Sequence, residues 1–169
     1  MRSQKGQTLI EALLALTIVI VIITAVVISV IYSVSNSVKN KSETVALDFA
    51  QESMNILKDA KSADYSTFTT TYPSVGWKCF PQDADAPDTT DCTDNNIVDE
   101  DNNFKALRKV YIDPTGKGTD GVTQKCNANV YFVASVVYWT DGSCKAVSPN
   151  CHKIEIDSCF TNTSNLPAL

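Results

Sequence analysis

A single carboxylate stands at the head of a long apolar run. Glu11 is followed by Ala12 to Tyr32, interrupted only by Thr17, Thr24 and Ser29, and no charge returns before Lys39. The run has the ~20 residues that a helix needs to cross hydrocarbon. Its many Ile and Val side chains weaken helices in water. In lipid the backbone must satisfy its own polar groups, so a helix is still required. Thr17, Thr24 and Ser29 fit such a helix because their hydroxyls can bond back to the preceding turn. An ordinary secretory signal has a shorter core and a small-residue cleavage site behind it. Here Val34-Ser-Asn-Ser-Val38 follows, which favours an uncleaved N-terminal helix. A lone acid at the edge of that helix is costly unless something pairs with it.

The residues before the run are equally specific. Arg2 and Lys5 form a short basic leader, Gly6 ends it, and Gln7-Thr8-Leu9-Ile10-Glu11 follows. This arrangement resembles the processing signal of type IV pilins and pseudopilins. The resemblance implies cleavage after Gly6 by a prepilin peptidase and methylation of the new amino group on Gln7. It also implies that Glu11 pairs with that amine on a neighbouring subunit and sets the axial step of a filament. Partners follow in the same way: other pilin subunits through the N-terminal helix, the peptidase, an inner-membrane assembly platform and the membrane itself. Two positions depart from the family pattern. Gln7 stands where most members have an aromatic or apolar residue, and Ile28 where many have a helix-bending proline.

Arg2 and Lys5 favour a cytoplasmic N-terminus by the positive-inside rule. Lys39 and Lys41 oppose them two against two, so charge alone does not settle the orientation. The cysteines decide it. Cys79, Cys92, Cys126, Cys144, Cys151 and Cys159 all lie beyond the apolar run. An even count in one region reads as disulfides, which persist in oxidising compartments. Zinc is disfavoured because the chain has no C-x-x-C pair and one histidine, His152. Six cysteines allow fifteen connectivities. The preferred set is local: Cys79 with Cys92, Cys144 with Cys151, and Cys126 with Cys159. The expected location is the cytoplasmic membrane, N-terminus inside, and then an extracellular filament.

After the run, helical spacing continues to about Lys61. Val38, Val45, Phe49, Ile56 and Ala60 mark a stripe, widened by Ala46, Ala50 and Leu57. Lys39, Glu43, Asp48, Glu52 and Lys58 are expected to face away. The segment Ala46-Leu-Asp-Phe-Ala-Gln-Glu52 resembles an Ala-Gln-Glu-bearing segment of many pilin-like proteins. Tyr65 to Pro73 reads as a Thr/Ser-rich linker, Trp77 to Phe80 as a short strand, and 83–103 as an acidic loop. Phe104 to Ile112, Asn129 to Thr140 and His152 to Phe160 read as strands. One apolar face and one wet face are expected of the sheet. The fold class is α+β: a long N-terminal helix packed on a small antiparallel sheet, as the resemblance also implies. The expected segments are a leader at 1–6, a membrane or filament-core helix at 7–33, an amphipathic half at 34–63 and a disulfide-stapled head at 64–169.

Catalytic chemistry finds little support. His152 sits beside Cys151, and a Cys/His pair needs a free thiol. No Gly-rich phosphate loop opens a helix. Asp99, Asp101 and Asn103 resemble the start of a calcium loop, but Phe104 replaces the required glycine and Val110 the twelfth-position acid. A solvated loop is favoured over calcium, and no other cofactor is expected. The net charge is −5, and loss of Arg2 and Lys5 takes the mature chain to −7. Such a surface argues against nucleic acid as a partner. Lys105, Arg108 and Lys109 are the one basic cluster in the head, read as strand-edge solvation. The expectation is a structural subunit of a type IV pilus-like filament and not an enzyme, with a minor pilin preferred. A secretion or competence pseudopilin, or a plain signal-anchored surface domain, is the alternative.

Overall fold

The computed structural model describes residues 7–82, 85–87, 97–99, 104–127, 130–140 and 151–161, with backbone only for 7, 8 and 97–99. Helix α1 spans Gln7–Ala63. The chain divides into two units, one ending at Lys41 and the other beginning at Ser42. In the first unit α1 has no packing partner among the described residues. Every large apolar side chain from Leu9 to Tyr32 is at least half exposed. Thr17 donates to the Leu14 carbonyl at 2.8 Å, and Thr24 to those of Ile20 and Val21 at 3.0 and 2.9 Å. These hydroxyls are therefore consumed within the helix, as a hydrocarbon setting requires.

The second unit packs the rest of α1 on an antiparallel sheet. After α1 come α2 (Tyr65–Thr71), β1 (Gly76–Cys79), β2 (Ile97–Asp99), β3 (Phe104–Asp113), β4 (Tyr131–Trp139) and β5 (His152–Phe160). The order is β1-β3-β4-β5, and β2 also pairs with β3, next to its start. Register places Val110 opposite Ser135, and Ser135 opposite Ile156. The helix-facing side therefore carries Ala106, Arg108, Val110 and Ile112 on β3, and Val133, Ser135, Val137 and Trp139 on β4. Met54 and Leu57 pack on Val110, Ile112 and Val133, while Ala46 and Ala50 meet Ala106, Val137 and Trp139. The small residues at 46 and 50 let the helix axis approach the sheet closely.

Several expectations are corrected. Residues 65–71 form helix α2 rather than a linker. Asp64 caps it, accepting from the Ser66 and Thr67 amides at 2.9 and 3.2 Å. Phe68 and Tyr72 then anchor one helical face in the core beside Tyr131 and Phe160. The acidic stretch contains strand β2, whose Asp99 pairs with Phe104. Residues 104–110, the second half of the calcium-loop resemblance that the sequence already disfavoured, lie in β3. The helix stripe is centred on Ala46, Ala50, Ser53, Met54 and Leu57, while Val38 and Ala60 are exposed.

The sheet has no fully wet face. Tyr111, Phe132 and Ala134 point away from the helix and are still buried, packed with Cys126 and Val130. The segment after β3 folds over them. It forms a bridge between Lys117 and Gln124 and is tied to β5 by the Cys126–Cys159 disulfide. Gly116 sits under this cover at φ +80°, where a Cβ would lie 2.9 Å from the Val130 carbonyl oxygen. Only glycine fits that turn.

Candidate functional site

Two regions carry the chemistry: the start of α1, and the seam where its later half meets the sheet. At the start, Gln7 opens the helix and Glu11 lies one turn later with an exposed side chain. The i, i+4 spacing puts Glu11 on the same helical face as the first residue of α1. Gly6 lies outside the described residues. The apolar surface from Leu9 to Tyr32 is suited to lipid or to other apolar helices, and α1 is long and apolar enough to cross a membrane.

The seam is organised by Arg108, which is fully buried. Its Nε donates to the Phe80 carbonyl at 3.0 Å and its Nη2 to Pro81 at 2.8 Å. Nη1 reaches across to α1, donating to the Phe49 carbonyl at 3.0 Å and to Glu52 Oε2 at 2.7 Å. The guanidinium lies 4.7 Å from the Phe80 ring centroid and 5.8 Å from that of Phe49. A flat group with five donors can tie three backbone carbonyls and a carboxylate at once, which lysine cannot. Strand-edge solvation is thus the wrong account of Arg108, and Glu52 turns toward the sheet rather than away. Parity is the signal that locates it: residue 108 shares its face with Ala106 and Val110.

A second polar contact crosses the same seam. Ser53 and Ser135 are fully buried with their hydroxyls 2.6 Å apart, and Ser53 donates to the Ala50 carbonyl at 2.9 Å. A hydroxyl has one proton, so Ser135 is the donor to Ser53. The pair fixes where along the helix β4 can sit, because a slipped helix leaves both hydroxyls buried and unmatched.

The remaining predicted sites are distributed as follows. Cys126 and Cys159 are bonded, with their Cα atoms 5.7 Å apart. Cys79 in β1 and Cys151 before β5 are also disulfide-bonded. Cys92 and Cys144 lie outside the described residues, as do Asp101 and Asn103, while Asp99 is described in backbone alone. Among the described residues no group of three or more His, Cys, Asp or Glu side chains gathers to hold a metal. His152 stacks on Trp139 at 5.3 Å, and its neighbour Cys151 offers no free thiol.

Two exposed acids are tuned by local donors. Asp120 accepts from the Thr123 hydroxyl and from the Val122 and Thr123 amides at 2.9 Å each, which lowers its pKa to about 2. Asp64 is held below the usual carboxylate range by the hydroxyl and amide of Thr67 and the amide of Ser66. Burial raises Tyr72, Tyr111 and Tyr131 above the ordinary phenol value. These groups shape the head, and none is assembled with a nucleophile.

No curated protein and no solved structure matches the chain. Residues 1–31 match the family model described as the prokaryotic N-terminal methylation motif. That span covers the basic leader, Gly6, Gln7, Glu11 and most of the exposed apolar surface of α1, so the chain carries a type IV pilin-like prepilin motif ahead of an α+β head.

Proposed function

We propose that this protein is a structural subunit of a type IV pilus-like filament, preferably a minor pilin. A peptidase removes residues 1–6, Gln7 becomes the methylated N-terminus, and the chain waits in the cytoplasmic membrane with its head outside. Assembly then moves the apolar surface of α1 from lipid to neighbouring helices. Glu11 accepts the amine of Gln7 on an adjacent subunit, so a misplaced subunit leaves two charges unpaired in an apolar core. The observation that carries this reading is the match at residues 1–31, joined to a helix whose large apolar side chains from Leu9 to Tyr32 are at least half exposed among the described residues. The disulfide-stapled head suits life outside the reducing cytoplasm. A pseudopilin of a secretion or competence system would have the same helix, and loss of secretion on deletion would identify it.

The test compares Glu11→Ala and Gly6→Leu with wild type in the source cells. Glu11→Ala is expected in the membrane fraction as the mature chain and absent from sheared filaments. Gly6→Leu is expected to keep its leader. Normal amounts of both variants in the sheared fraction would contradict the proposal.

A further inference from the structure

Polarity along residues 7–41 changes at positions that match a bilayer. Glu11 is the last charge before the apolar run, which ends at Tyr32. The twenty-one helical steps between them rise about 32 Å, close to the ~30 Å of bilayer hydrocarbon. Tyr32 is 67% exposed, and an aromatic ring with a polar tip is favoured where hydrocarbon meets water. Polar residues begin directly beyond it: Ser33, Ser35, Asn36 and Ser37, then Lys39 and Lys41. All of these are exposed, and no carboxylate lies between Glu11 and Glu43. Neither lysine makes an ion pair among the described residues.

Helix geometry places the two lysines at the level of the headgroups. Lys39 and Lys41 stand about 10 and 14 Å beyond Tyr32 along the axis. The polar layer on each side of the hydrocarbon is only ~5–8 Å thick, so their backbone lies just past it. Each Cα–Cβ bond of a helix tilts toward the N-terminus, which here is the side of the apolar run. A lysine stem leaning that way lies along the polar layer and returns its ammonium to the phosphates. Two residues turn the helix by about 200°, so the two ammonium groups leave on opposite sides and meet different lipids. Residues 42–169 carry eighteen carboxylates against ten cations, so the rest of the chain adds no such attraction.

We propose that Tyr32, Lys39 and Lys41 form a binding site for phospholipid headgroups of the outer leaflet, with an anionic phosphodiester lipid as the ligand. The proposal rests on the membrane reading above and adds what holds the subunit at a fixed depth before assembly. Tyr32 marks the edge of the hydrocarbon, and the lysines supply the charge that phosphate requires.

The experiment is native mass spectrometry of the full-length chain released from detergent micelles that hold equal amounts of phosphatidylglycerol and phosphatidylcholine. Wild type is expected to retain phosphatidylglycerol in preference. The double variant Lys39→Gln/Lys41→Gln is expected to retain about fivefold less of it. Arg2 and Lys5 are common to every chain compared, so the difference reports the outer pair. Lys58→Gln/Lys61→Gln removes the same charge farther from the span and is expected to retain lipid as wild type does. Equal retention by wild type and the Lys39/Lys41 variant, an equal loss in both variants, or no preference for the anionic lipid would overturn the proposal. Displacement of the lipid by millimolar inorganic phosphate would assign the lysines to a free anion and overturn it as well. Release of the wild-type chain from cell membranes by alkaline carbonate would instead overturn the membrane reading itself.

Discussion

At the scale of single residues, the head depends on polar groups placed where apolar ones would be expected. Among the described residues Arg108 is the largest fully buried side chain, and it joins α1, β3 and the residues after β1. Arg108→Met keeps the bulk and removes every bond. We expect it to cost about 2–4 kcal/mol, since the Phe80 and Pro81 carbonyls lose the guanidinium, the Phe49 carbonyl is left with its helical bond alone, and the half-exposed Glu52 can turn to water. Thermal unfolding of the detergent-solubilised chain measures this, and an unchanged midpoint would show that the node is dispensable. Composition hides such a residue: three basic side chains within five positions look like a solvated strand. Alternation does reveal it, because Ala106, Val110 and Ile112 share its parity and all are buried. The partners, by contrast, come from positions 49, 52, 80 and 81, and no local pattern links those to 108.

At the scale of elements, periodicity carried most of the architecture. The long helix and the strands at 104–113, 131–139 and 152–160 lie close to where hydrophobic spacing puts them. The failures occur where tertiary contacts override composition. Helix α2 is rich in Thr and Ser, which favour extended backbone, yet Phe68 and Tyr72 find the core only if the segment is helical. The hydroxyls of Thr69, Thr70 and Thr71 are absorbed by carbonyls three or four residues back. The expected wet face of the sheet is covered in part: the loop after β3 folds over Tyr111, Phe132 and Ala134, while Lys153, Glu155 and Asp157 of β5 stay exposed.

That loop and α2 are both pinned by exposed carboxylates with depressed pKa values, which gives a pH dependence of definite sign. Asp120 titrates near 3.8 when unfolded and about 2 when folded. Its contribution is therefore present above about pH 4 and is lost as pH falls toward 2. Asp64 acts in the same direction. Stability should fall over this window, and Asp120→Asn should flatten the fall. A variant curve parallel to wild type would show that the Asp120 turn contributes nothing.

At the scale of the whole molecule, the chain combines two solvents in one sequence. Its first unit exposes apolar surface that only lipid or other helices can satisfy, and its second is an acidic, disulfide-bonded head. The motif at residues 1–31 was legible because it is local: leader, glycine, acid and apolar run are contiguous. The subunit's partners are less legible, since an interface is a property of two copies. The Cys126–Cys159 bond closes 33 residues and is worth about 3–4 kcal/mol by loop entropy, a large share for a small head.

The most direct test is the intact mass of this protein in filaments sheared from the source cells. A chain beginning at Gln7, heavier by one methyl group and lighter by the hydrogens of its disulfides, is the expected result. A chain beginning at Met1, confined to the membrane fraction, would contradict the filament reading and leave a plain signal-anchored domain.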